Sequence, residues 1–154
     1  MATALENAQE TLAAKIDQPG APSDWFEITQ DRINDFADAT MDHQWIHVDP
    51  ERAKAGPFGA PIAHGQLTLS VLSFLPGAEG LPNLEGMKMG INYGWNKVRF
   101  PSPVPVGAQI RTIGCIKSVE PKGAMLEVVN ELTVEIKGQT KPACVAESVL
   151  RIVF

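Results

Sequence analysis

The spacing of apolar positions changes once along the chain, from helical spacing before about residue 75 to alternation after about residue 87. In the second stretch Met87, Met89, Ile91, Tyr93 and Trp95 recur at every other position. So do Leu126, Val128, Leu132, Val134 and Ile136, with Glu127, Glu131 and Glu135 facing the other way. A period of two puts one strand face on a core and the other in water. Further strands are expected at 98–100, 110–119 and 143–153, separated by Pro101-Ser102-Pro103, Pro121-Lys122-Gly123 and Lys137-Gly138. Taken in chain order they predict a meander.

The first part reads as helices. Ala4 to Lys15 is helix-compatible, has no decisive apolar face and ends before Pro19-Gly20, so residues 1–20 form an arm, either mobile or docked. Thr29 is a capping residue for a helix carrying Ile33, Phe36 and Ala37 on one stripe and ending near Thr40. Residues 42–48 are expected as loop or extended chain, because Ile46 and Val48 are β-branched and Asp49-Pro50-Glu51 starts a new short helix through Ala55. Gly56, Pro57, Gly59 and Pro61 mark irregular chain. The apolar run from Gly65 to Leu75, broken by Pro76-Gly77, fits helix or strand; as a helix it is apolar nearly all round and belongs inside the protein. One buried helix beside a curved antiparallel sheet is an α+β arrangement in which residues 21–154 form a single domain.

Composition narrows the setting. A chain of 154 residues, 44% hydrophobic and 20% charged, is long enough for one well-filled core. A net charge of −5 argues against nucleic-acid and anionic-membrane binding. The N-terminal residues lack a signal-peptide pattern and no apolar run is long enough to span a bilayer, which predicts a cytoplasmic protein. Cys115 and Cys144 lack metal-type spacing and read as core filling.

All three histidines fall between residues 42 and 64, together with two carboxylates: Asp42, His43, His47, Asp49 and His64. Imidazole titrates near neutrality and a carboxylate can orient it, so Asp42 and His47 together can hold and deprotonate a water molecule. A second reading makes His43 and His47, four apart, metal ligands with Asp42 or Asp49; the helix start at Asp49-Pro50 opposes it, because the two histidines then do not share a helical turn. A third leaves these residues as loop groups bonded to backbone. Asp49 reads as a helix cap. Gly65 opens the apolar helix, where free N–H groups and the dipole favour an oxygen gaining negative charge; the alternative is that the glycine only permits a tight entry into the helix.

The run Phe36-Ala37-Asp38-Ala39-Thr40-Met41-Asp42-His43-Gln44-Trp45-Ile46-His47-Val48-Asp49-Pro50, followed by Pro61-Ile62-Ala63-His64-Gly65, resembles the MaoC-like, R-specific enoyl-CoA hydratase family. Its Gln-Trp-Ile-His form is similar to the branch holding nodulation protein N and actinobacterial hydroxyacyl-thioester dehydratases, and the resemblance runs from about Trp25 to the C-terminus. It implies a hot-dog fold, a sheet wrapped round a central helix. The implied reaction is reversible hydration of an enoyl thioester, on CoA or acyl carrier protein, to an (R)-3-hydroxyacyl thioester. The catalytic pair falls on Asp42 and His47 and the oxyanion glycine on Gly65; Ser73, Gln44, Trp45 and His64 fall in supporting or substrate-contacting positions. The resemblance further implies a homodimer with no metal or organic cofactor, since the thioester itself acidifies the α-carbon. Met41 stands where the family motif has glycine, Gln44 where it has asparagine, and Trp45 where it has proline, which bears on acyl-pocket size. Lys97 and Arg99 are either CoA-phosphate contacts or solvated strand charges. A thioesterase and a non-catalytic acyl-thioester-binding subunit are the rival functions.

Overall fold

The computed structural model describes residues 2–72, 74–75 and 81–154. In chain order it has α1 (Ala4–Ala13), β1 (Phe26–Glu27), α2 (Gln30–Thr40), α3 (Trp45–Val48), α4 (Pro50–Lys54), α5 (Gly65–Leu72), β2 (Met89–Arg99), β3 (Gln109–Lys122), β4 (Met125–Ile136) and β5 (Cys144–Val153).

β3, β4 and β5 form an antiparallel meander whose alternation is carried into burial: Ile110, Thr112, Ile116, Leu126, Val128, Leu132, Val134, Ile136, Ala146 and Ile152 all lie on the covered face. On the other face charges meet across strands, with Arg111 bonded to its register partner Glu135 at 2.7 Å and Arg151 to Glu127 at 2.9 Å. Opposite charges directly across a ladder favour that register. β2 departs from the expected meander. The strand order is β1-β3-β4-β5-β2, so β2 closes the far edge against β5, with register shifts near Tyr93 and Asn96. Residues 100–108 then return from that edge to β3, and on the way bind the segment before α5 through Ala63 N–H to Val104 O (2.8 Å) and Val106 N–H to Pro61 O (2.9 Å).

The run 65–75 is helical over Gly65–Leu72, and Leu67, Leu69 and Leu72 pack with Ile110, Leu132, Val134 and Ala146 in the larger core cluster. It is covered on one side rather than all round: Ser70 is exposed and Phe74 is 86% exposed. The other half of the covered face is filled by α1. A Thr3–Glu6 capping box starts that helix, and Ala8 and Leu12 pack against Ile116, Leu126, Val128 and Ile152. The arm is therefore docked, and the chain after it follows β3 through Asp17 N–H to Ile116 O, Gly20 N–H to Gly114 O and Ser23 N–H to Thr112 O before β1 joins the same edge.

Two expectations need correction. Residues 45–48 form one turn of helix, because Asp49 N–H closes on Trp45 O at 3.1 Å and Ile46 O is held by Ile62 N–H at 3.0 Å; tertiary bonds outweigh the β-branched propensity. Cys144 is core filling, its thiol pushed up to about 11 by burial, but Cys115 lies only half-buried on the sheet's outer face opposite Glu131.

Candidate active site

α2 delivers the first acidic group. Thr29 caps its start by accepting from Arg32 N–H, and the helix ends in Met41, whose left-handed backbone (φ 63°, ψ 15°) turns the chain out of the helix at Asp42. That conformation is the one glycine adopts without penalty. Asp42 is exposed, and its Oδ1 accepts the Gln44 N–H at 3.3 Å. Gln44 in turn begins α3 as its N-cap residue.

His47 sits at the end of α3, 6% exposed. Its Nδ1 lies 2.6 Å from the Ile62 carbonyl oxygen, an atom that only accepts, so Nδ1 carries the proton and Nε2 is left with a free lone pair. Burial holds its pKa below the ordinary imidazole value and His64 pulls the same way, while the Ile62 bond and Asp42 oppose. The Gln30 side chain, from the first turn of α2, donates to the His47 carbonyl at 2.8 Å and so ties α3 to α2.

His64 precedes α5 and is 3% exposed. Its Nε2 donates to the Asp42 carbonyl oxygen at 2.9 Å, its ring stacks on His47 with centroids 3.8 Å apart and planes 25° apart, and Phe36 leans on it at 4.9 Å. The ligating atoms of Asp42, His47 and His64 all lie within 4.8 Å of one another. Two nitrogens and one carboxylate are a recognised zinc donor set. Nearly parallel stacked rings, however, carry their in-plane lone pairs side by side, whereas a tetrahedral ion needs them to converge, and His64 Nε2 is already committed to the Asp42 carbonyl. His43, the other histidine of the metal reading, is turned away: it is exposed and bonded to Asp38 at 2.7 Å, which raises its pKa.

Gly65 begins α5, so its N–H belongs to the first turn, which has no intrahelical acceptor. A β-carbon there would sit 3.0 Å from the Phe100 ring, so the position is sterically reserved for glycine or requires that ring to move. A cavity of about 330 Å³ brings His47, Gly65, Phe58, Ile62, Thr68 and Phe100 together. Trp45 does not line it: its ring lies between the Arg52 guanidinium (4.5 Å) and Gly56, where an added β-carbon would be 2.9 Å away. Gln44 is exposed and Asp49 caps α4 by accepting from Arg52 N–H. Ser73 lies outside the described residues. A second groove, about 500 Å³, runs between α5 and the β2 edge past Gln66, Ser70, Phe74, Trp95 and Leu150.

Sequence reasoning missed Gln30, the Ile62 carbonyl, Thr68 and Phe100. Gln30 and Ile62 act through side-chain-to-backbone bonds spanning 17 and 15 residues, and no periodicity signals such bonds. Thr68 was hidden in an apolar run.

Residues 11–137 match the family model described as MaoC like domain. The chain is 52% identical over 143 residues to 3-hydroxyacyl-thioester dehydratase Z of Mycobacterium tuberculosis, covering 92% of this chain and 93% of that one. It is 44% identical over 145 residues to nodulation protein N of Rhizobium leguminosarum bv. viciae, covering 93% and 89%. Among solved structures, the (R)-hydratase of A. caviae superposes with a TM-score of 0.70 at 24% identity, over 88% of this chain and 94% of that one, a likeness of fold.

Proposed function

This chain belongs to the MaoC-like domain family, and from that premise we propose that Asp42 and His47 hold the water it adds to, or removes from, an acyl thioester. The enzyme is a hydro-lyase on the hot-dog architecture: it interconverts an enoyl thioester with a 3-hydroxyacyl thioester. The observation that carries the residue assignment is the His47 tautomer. With Nδ1–H committed to Ile62, Nε2 is the free base of a residue that lines the same cavity as Gly65, and the ligating atoms of Asp42, His47 and His64 lie within 4.8 Å of one another.

In the hydration direction, His47 Nε2 takes one proton from the water as its oxygen bonds to the β-carbon. The double-bond electrons move through the α-carbon onto the thioester oxygen. The Gly65 N–H, at the positive end of α5, stabilises that oxygen, a contribution on the order of 3 kcal/mol for one preorganised donor. The carbonyl re-forms as the His47 imidazolium passes its proton to the α-carbon on the same face, which regenerates the neutral base and gives the (R)-3-hydroxyacyl product. Asp42 accepts a hydrogen bond from the O–H that stays on the β-carbon as the product hydroxyl, and its charge favours the imidazolium that forms.

The working unit is a homodimer. In support, β2 is an 11-residue edge strand whose outer side has no pairing strand among the described residues, and Met89, Ile91 and Tyr93 along it, with Met87 just before it, are 41–60% exposed. A long apolar edge of this kind is ordinarily covered, and a two-fold axis would pair it with its own copy. The groove beside α5 would then be closed by the second subunit.

The test is hydration of crotonyl-CoA, followed as loss of the enoyl absorbance alongside a free-thiol assay that would expose thioester hydrolysis. Asp42→Asn and His47→Gln should each lower kcat by about 10²- to 10⁴-fold. Wild-type rates from both would defeat the assignment.

A further inference from the structure

We propose that His64 is the positioning residue of this pair, setting Asp42 through its main chain and His47 through its ring face. The inference rests on the reading of Asp42 and His47 above. Asp42 needs an external anchor: it follows the left-handed Met41, it is exposed, and among the described residues its own carboxylate has only a long local bond to Gln44. His64 supplies one across 22 residues, from a buried ring fixed between Phe36 and His47 at the start of α5. One ring therefore ties both members of the pair to the element that also presents Gly65.

The tautomer supports this. Nε2 must carry the proton to bond the Asp42 carbonyl, which leaves Nδ1 an unprotonated acceptor; that atom is buried with no hydrogen-bond partner among the described residues. A buried polar atom without a partner is destabilising. An apolar side chain would remove that unpaired nitrogen but would also strip the part-buried Asp42 carbonyl of this donor, so the cost of the nitrogen comes together with the bond to Asp42. What histidine provides, and an apolar residue does not, is a donor aimed at Asp42 from a flat face that orients His47.

Glutamine and methionine separate the donor from the bulk, since they match in length and only glutamine can donate to the Asp42 carbonyl. With crotonyl-CoA, His64→Gln should lower kcat about threefold, and His64→Met a further tenfold or more, both with KM within about twofold of wild type and closely similar melting temperatures. Equal kcat in the two variants, or losses that appear in KM or track melting temperature, would overturn the proposal. If methionine is not tolerated in the core, His64→Leu replaces it in the same comparison. Asp42→Asn and His47→Gln are measured beside them. Wild-type activity in those two defeats the pair itself, whereas their inactivity with equal Gln and Met variants defeats only the role given to His64.

Discussion

The β3–β4–β5 meander and the segment from Met41 to Gly65 are held by different kinds of interaction. In the meander every second residue repeats the same contact, and the cross-strand charges repeat outside it, so each side chain shares its work with many neighbours. In the site segment most ties are single: Gln30 to His47, His47 to Ile62, His64 to Asp42. Stability therefore concentrates in the first region and chemistry in the second, and changes in one should leave the other's property largely intact.

The largest expected effect breaks the meander alone. Leu132 is fully buried in the main cluster, and Leu132→Ala should cost about 2–5 kcal/mol in denaturant unfolding while kcat of the folded fraction stays close to wild type. A matching loss of kcat would show that the regions are not separable. The next effect sharpens the site side. Because burial holds His47 below the usual imidazole range, the base stays neutral to lower pH, and the acid limb of kcat/KM should fall below about pH 6.5. A limb at or above that value contradicts the buried-base reading. The smallest effect lies at the boundary: Met41→Gly relieves a left-handed backbone but adds unfolded-state freedom, a net gain of about 0.5 kcal/mol. A loss of stability there would mean that the methionine side chain, 84% exposed, contributes more than its surroundings indicate.

The same contrast explains what could be read from the sequence. The strands of the meander and the α2 and α4 caps at Thr29 and Asp49 were legible because their causes are local: a period of two, or a side chain bonding three residues on. The place of β2 beside β5 was not, since its own alternation says nothing about which edge it joins. Nor was the turn of helix at 45–48, made by a bond from Ile62 that overrides local propensity. At the site, family resemblance pointed to Asp42, His47 and Gly65, and the structure brings His47 and Gly65 into one cavity with Asp42 within reach. The His47–His64 stack and the Gln30 tie depend on how α2, α3 and α5 meet, which residue spacing does not encode.

The central claim is that one carboxylate and one imidazole act on the same water. A double-mutant cycle in kcat for crotonyl-CoA hydration, with Asp42→Asn, His47→Gln and the two combined, tests it directly. Groups that act as a unit are not additive, so the combined variant should be no slower than the worse single variant, to within about threefold. Losses that multiply would show that the two side chains work independently and contradict the account.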